Sequence, residues 1–100
     1  MLVVNRFRAD DAGFDAELRE VVAVLAAQPG FESGDLGRNV DDPSLWVMVT
    51  RWRDVGSYRR ALSSYDVKVG AVPLLSRAID EPSAFEDLDG ELNEAIPRST

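Results

Sequence analysis

From Leu45 to Arg53 the chain reads LWVMVTRWR, and this one run limits what the rest can become. Alternate side chains of an extended strand point to opposite faces. Leu45, Val47, Val49 and Arg51 therefore share one side, and Trp46, Met48, Thr50 and Trp52 the other. Both sides are largely apolar, so both must be covered. A chain of 100 residues is one domain in length, able to bury roughly 60–70% of the surface it exposes unfolded. It has no residues to spare as a second domain that would cover one side of that strand.

The flanking sequence supplies cover for one face. Leu2 to Arg8 reads as a strand with Leu2, Val4, Arg6 and Arg8 on one side and Val3, Asn5 and Phe7 on the other. After a turn over Ala9–Gly13, in which Asp10 or Asp11 is expected to cap, Phe14, Leu18, Val21, Val22 and Leu25 recur at helical spacing. Gln28-Pro29-Gly30 stops that helix, because proline cannot continue the hydrogen-bond ladder and glycine accepts a left-handed exit turn. Phe31 to Val40 reads as a weaker strand, in which Gly34 and Gly37 predict a bulge or a close backbone approach. Asp41-Asp42-Pro43-Ser44 is a turn into the two-faced strand. Asp54 caps a second helix carrying Val55, Tyr58, Ala61 and Leu62. Ser64 starts a further helical stretch through Val67 to Leu75, which Gly70 and Pro73 predict to be short or bent. Pro82 to Leu88 is the candidate last strand, and residues 89–100 read as a polar acidic tail after a domain over 1–88.

This order predicts an α+β, ferredoxin-like β-α-β-β-α-β fold: a four-stranded antiparallel sheet with helices on one face. The other face, with Leu2, Val4 and one side of Leu45–Arg53, is then left to water. Buried apolar area is worth about 25 cal/mol per Å², so an open sheet face favours association with a second copy. The expected assembly is a homodimer, and Arg51 is placed to reach an acid across it.

Composition removes several functions. There is no cysteine and no histidine, which excludes a thiolate site, the commonest metal ligand and the usual proximal haem ligand. No metal and no cofactor is expected. The net charge of −7 opposes a phosphate backbone, and no basic aromatic strand suits RNA, so nucleic acid is not an expected partner. Residues 81–100 hold six acids against one arginine, so the first eighty carry only −2. No apolar run approaches the roughly 18 residues of a membrane span, and MLVVNRFRADD lacks the pattern of a signal peptide. A cytoplasmic protein without a membrane partner is the expectation.

The segment WVMVTRWRDVGSYRRAL, Trp46 to Leu62, resembles the third strand and following helix of antibiotic biosynthesis monooxygenase domains. There the strand ends in tryptophan, a polar or acidic pair follows, and an aromatic sits on the next helical turn. Trp52, Asp54 and Tyr58 match those positions. Gln28-Pro29-Gly30-Phe31 resembles the family's junction between first helix and second strand, and the likeness extends over about residues 2–88. It implies a dimeric α/β barrel with a pocket between sheet and helices in each subunit. Family members include cofactor-free oxygenases of polycyclic phenols and haem-degrading enzymes, and the fold alone does not choose between reactions.

Asn5 is the residue that stands out. A carboxamide between Val3 and Phe7 on an apolar face needs partners, and VVNRF resembles the pocket asparagine of the haem-degrading branch. Asn5 can equally satisfy a neighbouring backbone group. The rest of that branch's pattern is absent: Ala61 stands where its helix tryptophan would be, and Ala71 or a close neighbour where its histidine would be. Only Tyr58 or Tyr65 is left as an axial ligand, an uncommon choice. A cofactor-free oxygenase needs a pocket that removes a phenol proton and stabilises the anion with hydrogen-bond donors. Asn5, Trp52, Tyr58, Tyr65 and Arg77 are residues of the right types, although core packing is the favoured account of Trp46, Trp52 and Tyr58. Two readings remain open: an oxygenase acting on a small aromatic or polyketide-like ligand, and a dimeric barrel that binds or assists without catalysis. A closed, well-formed cavity beside Asn5 with several convergent polar groups favours the first. A cavity filled by Trp52, Tyr58 and Leu62 favours the second.

Overall fold

A computed structural model describes residues 1–89. The strand pattern at the amino terminus forms β1 (Leu2–Arg8), and the amphipathic repeat forms α1 (Phe14–Ala26). They are followed by β2 (Phe31–Arg38), β3 (Leu45–Trp52), α2 (Val55–Ser63), α3 (Tyr65–Gly70), α4 (Val72–Leu75) and β4 (Ala84–Phe85). The sheet has the order β2-β3-β1-β4 with every neighbouring pair antiparallel. The fold is therefore the expected α+β, ferredoxin-like one.

The β1–β3 register runs from Leu2 opposite Arg51 to Arg8 opposite Leu45. Because the side-chain period is two, it gathers Val3, Asn5 and Phe7 with Thr50, Met48 and Trp46 on one face. That face is the core. Val3, Phe7, Met48, Thr50 and Trp52 are buried against Phe14, Leu18, Val21 and Leu25 of α1 and against Ala61, Val67, Ala71 and Leu74 from the later helices. On the reverse face Leu2, Val4, Leu45, Val47 and Val49 are only half-buried and Arg51 is exposed. Arg51 lies 3.4 Å from Asp87 of its own chain, so it has an acid within reach without a partner subunit.

Local chemistry sets the junctions. At Gly30, φ is +89°, and a Cβ there would collide with the Ser57 side chain. Glycine is thus required both for the left-handed turn and for the approach of α2. The Gly30 carbonyl accepts from the Arg53 amide at 2.7 Å, fixing the entry to α2. Asp54 caps α2 as expected, accepting from the Ser57 amide at 2.7 Å, and Ser64 caps α3 through the Val67 amide.

Two expectations need correction, the α1 cap and the length of the last strand, and two others are met in one of their forms. The α1 cap is Gly13 in the left-handed conformation, with no side-chain bond, because the Asp11 carboxylate is occupied by Arg77 at 3.1 Å. The bulge in β2 falls between Phe31 and Ser33, ahead of the glycines. Gly34 and Gly37 instead mark close approaches, to Phe31 and Val22 and to Val47. The stretch from Tyr65 to Leu75 is two short helices broken at Ala71. The last strand shrinks to Ala84–Phe85. The tail expected over 89–100 lies, from residue 90 onward, outside the described residues.

Candidate functional site

The shortness of β4 creates the site. The β1 edge is held on either side of Asn5: the Val4 amide donates to the Ser83 carbonyl at 2.7 Å, and the Ile79 amide donates to the Arg6 carbonyl at 2.8 Å. Between those ties the chain does not pair as a ladder, and Pro82, which has no N–H, cannot donate to one. The segment from Ile79 to Ser83 therefore arches off the edge. It leaves a cavity of about 310 Å³ lined by Asn5, Leu75, Ser76, Ala78, Ile79, Asp80, Glu81 and Ser83, at the lower end of small-molecule pocket sizes.

Within this cavity the polar groups differ in availability. The Asn5 carboxamide has no hydrogen-bond partner among the described residues, and no buried side-chain polar atom there is unsatisfied, so its polar atoms are open to solvent in the cavity. Glu81 is committed: Arg6 Nε and Nη2 donate to its two oxygens at 2.8 and 2.7 Å. That fork holds the Glu81 carboxyl below its ordinary pKa, the hydrogen bond from Arg6 being the main cause. Ser76 donates to the Pro73 carbonyl at 2.8 Å, which leaves its oxygen free to accept. Asp80 is exposed and carries no ion pair or hydrogen bond among the described residues.

The other residues singled out from the sequence lie elsewhere. Trp52 is 0% exposed, and its indole N–H donates to Thr50 Oγ1 at 2.9 Å. Its ring meets Phe31 edge-on at 5.3 Å and Tyr58 at 5.6 Å. Tyr58 is half-buried, and burial raises its hydroxyl pKa. Tyr65 is 78% exposed on α3. Arg77 spans Asp11 at 3.1 Å and Glu17 at 3.6 Å, with its guanidinium 5.1 Å from the Phe14 ring centroid. Of the five, Trp52 and Tyr58 touch each other, and Asn5 alone lines the cavity. The residues that join Asn5 there carry no periodic signal in the sequence; Pro82 was the one hint that strand pairing would fail.

A second depression of about 450 Å³ lies on the same face at the opposite edge of the sheet, between the start of α1 and β2. Its aromatic floor is Phe14 and Trp46, and Arg38 already covers the Trp46 ring at 4.2 Å. Among the described residues no group of three or more acidic, histidine or cysteine side chains is placed to hold a metal, and no helix is long and apolar enough to cross a membrane.

Residues 1–71 match the sequence profile described as antibiotic biosynthesis monooxygenase. The chain belongs to that family. SnoaB, a cofactor-independent oxygenase from Streptomyces nogalater, is 29% identical, with 89% of this chain aligned to 96% of that one at a TM-score of 0.70. Rv0793 from Mycobacterium tuberculosis is 20% identical, covers 90% of this chain and 96% of its own, and superposes with a TM-score of 0.68, a likeness of fold. No curated protein matches the sequence. Family membership supports a monooxygenase-like function at the level of the family. Haem chemistry finds no support in the cavity beside Asn5, because neither tyrosine lines it and the chain has no histidine.

Proposed function

We propose that this protein is a cofactor-independent monooxygenase of the cytoplasm that oxidises a small electron-rich aromatic, polyketide-like phenol in the cavity beside Asn5. The observation that carries this reading is the Asn5 carboxamide, without a hydrogen-bond partner among the described residues, lining a space that polar groups share with the apolar Leu75, Ala78 and Ile79. The Asn5 N–H groups donate to the substrate oxygen as negative charge develops on it. The ring lies against the apolar side chains. Reaction of the phenolate with dioxygen forms a C–O bond at a ring carbon and leaves a hydroperoxide. Loss of water from that carbon, which gives up its hydrogen as a proton, yields a quinone: one oxygen atom enters the product and the other leaves as water. Cofactor independence is in keeping with the description of SnoaB.

The reading that competes is a ligand-binding or accessory barrel without catalysis. It is favoured by the packing of Trp52, Tyr58 and Phe31 against one another as core, where an oxygenase pocket was expected to use the first two. Oxygen uptake by the purified protein with a dihydroxyanthrone, followed together with quinone absorbance, separates the two. One oxygen molecule consumed per quinone formed is the expected result. Saturable binding of the compound with no uptake above its autoxidation would leave the accessory reading.

A further inference from the structure

We propose that Asp80 is the general base of this site, taking the proton from the phenolic oxygen that Asn5 holds. The inference rests on the oxygenase reading above for its ligand class, and its proton step can be tested apart from that reading. Two carboxylates line the cavity, Asp80 and Glu81. Both oxygens of Glu81 are occupied by the Arg6 fork at 2.7 and 2.8 Å, which favours its anionic form and makes it a poor proton acceptor. Asp80 has no such partner among the described residues. It sits one residue past the Ile79 tie to Arg6, and the Ser83 tie to Val4 fixes the other end of the arch. Asp80 thus lies on the arch between these two ties and lines the same cavity as Asn5, as a base and a hydrogen-bond donor acting on one substrate hydroxyl must.

Charge balance suits this assignment. With Glu81 neutralised by Arg6, the cavity carries one net negative charge, that of Asp80. When the phenol O–H bond breaks and its proton joins a carboxylate oxygen of Asp80, the charge moves to the phenolate oxygen, where the Asn5 carboxamide donates. The step moves charge from one oxygen to another and creates no new one. The protonated Asp80 then returns its proton to the peroxide oxygen formed when dioxygen adds to the ring. It takes up the ring-carbon proton as water departs and is regenerated as the carboxylate when that proton passes to the leaving hydroxide.

The test uses the full chain, with a dihydroxyanthrone as the probe, first without oxygen and then with it. Anaerobic binding to the wild-type protein is expected to convert the probe's absorbance to that of its anion at a pH where the free compound is neutral. Asp80→Asn is expected to bind the probe with an affinity within about threefold of wild type, in its neutral form, and to turn over at least a hundredfold more slowly, the usual scale of a lost general base. Asp80→Glu should restore the anion band and part of the rate. An anion band and normal turnover in Asp80→Asn overturn the proposal, as does a wild-type complex in which the probe stays neutral. Ionisation by the wild-type protein but not by Asp80→Asn, with no oxygen uptake by either, upholds the base and discards the oxygenase reading.

Discussion

At the scale of single residues, two polar groups on the helix-covered face have opposite fates. Thr50 is 1% exposed and spends its hydroxyl oxygen on the indole N–H of Trp52. Removing that acceptor leaves a buried donor unsatisfied, so Thr50→Val should destabilise the fold by about 1–3 kcal/mol, measured by urea unfolding. Asn5 is the reverse case, a polar group with no partner to lose among the described residues. Asn5→Ala should leave the unfolding midpoint within the range of a neutral surface change and weaken binding of a dihydroxyanthrone by about tenfold, as expected for one lost hydrogen bond near charge. A collapse of stability in Asn5→Ala would return the residue to a structural role. Asn5 was legible in the sequence because a lone amide interrupts an apolar face. Thr50 was not, because a β-branched residue in a strand draws no attention until the indole beside it needs an acceptor.

At the scale of elements, what could be read from the sequence followed from periodicity and punctuation. The bounds of β1, the stop at Gly30 and the caps at Asp54 and Ser64 each follow from residues that act within three or four positions. What could not be read depends on distant partners. Asp11 fails as a helix cap because Arg77, 66 positions away, occupies it. The last strand is cut short because the chain returns to β1 on separated ties rather than a ladder. Caps and ion pairs, local and long-range alike, also make the carboxylates acid-sensitive. Asp42, which accepts from Ser44 and Arg8, is lowered to about 2, and Asp54, Glu81 and Asp87 are also lowered, by the Ser57 amide, Arg6 and the amino terminus respectively. A depressed folded-state pKa stabilises the protein above the unfolded value, near 4 for a carboxyl, and that contribution is lost as pH falls through the folded value. Thermal midpoints should therefore hold from neutrality to about pH 4 and fall between 4 and 2. Asp42→Asn should flatten the lower part of that fall; an unchanged profile in this variant would mean that the Arg8–Asp42–Ser44 linkage contributes nothing to acid sensitivity.

At the scale of the whole molecule, the first constraint read from the sequence becomes the last question of assembly. β3 has two apolar faces, and the described residues cover only the face that carries Trp46, Met48 and Trp52. Leu2, Val4, Leu45, Val47 and Val49 stay half-buried on the other, beside Phe85 at 46% exposure. At about 25 cal/mol per Å², burying several hundred Å² of such surface offsets a large part of the entropy of association. A second copy presenting the same face is the occupant expected of a two-fold assembly. Light scattering should then give about twice the 11.0 kDa of one chain. Val49→Asp tests the face itself. Val49 lies opposite Val4 on one side and Asp35 on the other, so an added carboxylate there has no cation directly across from it and would be buried unpaired in a dimer. In a single chain it stays half in water, and the fold should survive with its circular dichroism intact. The expected result is a folded species of single-chain mass. A Val49→Asp protein that keeps the doubled mass would place the interface elsewhere, and a wild-type protein of single-chain mass would mean that β3 tolerates an open apolar face.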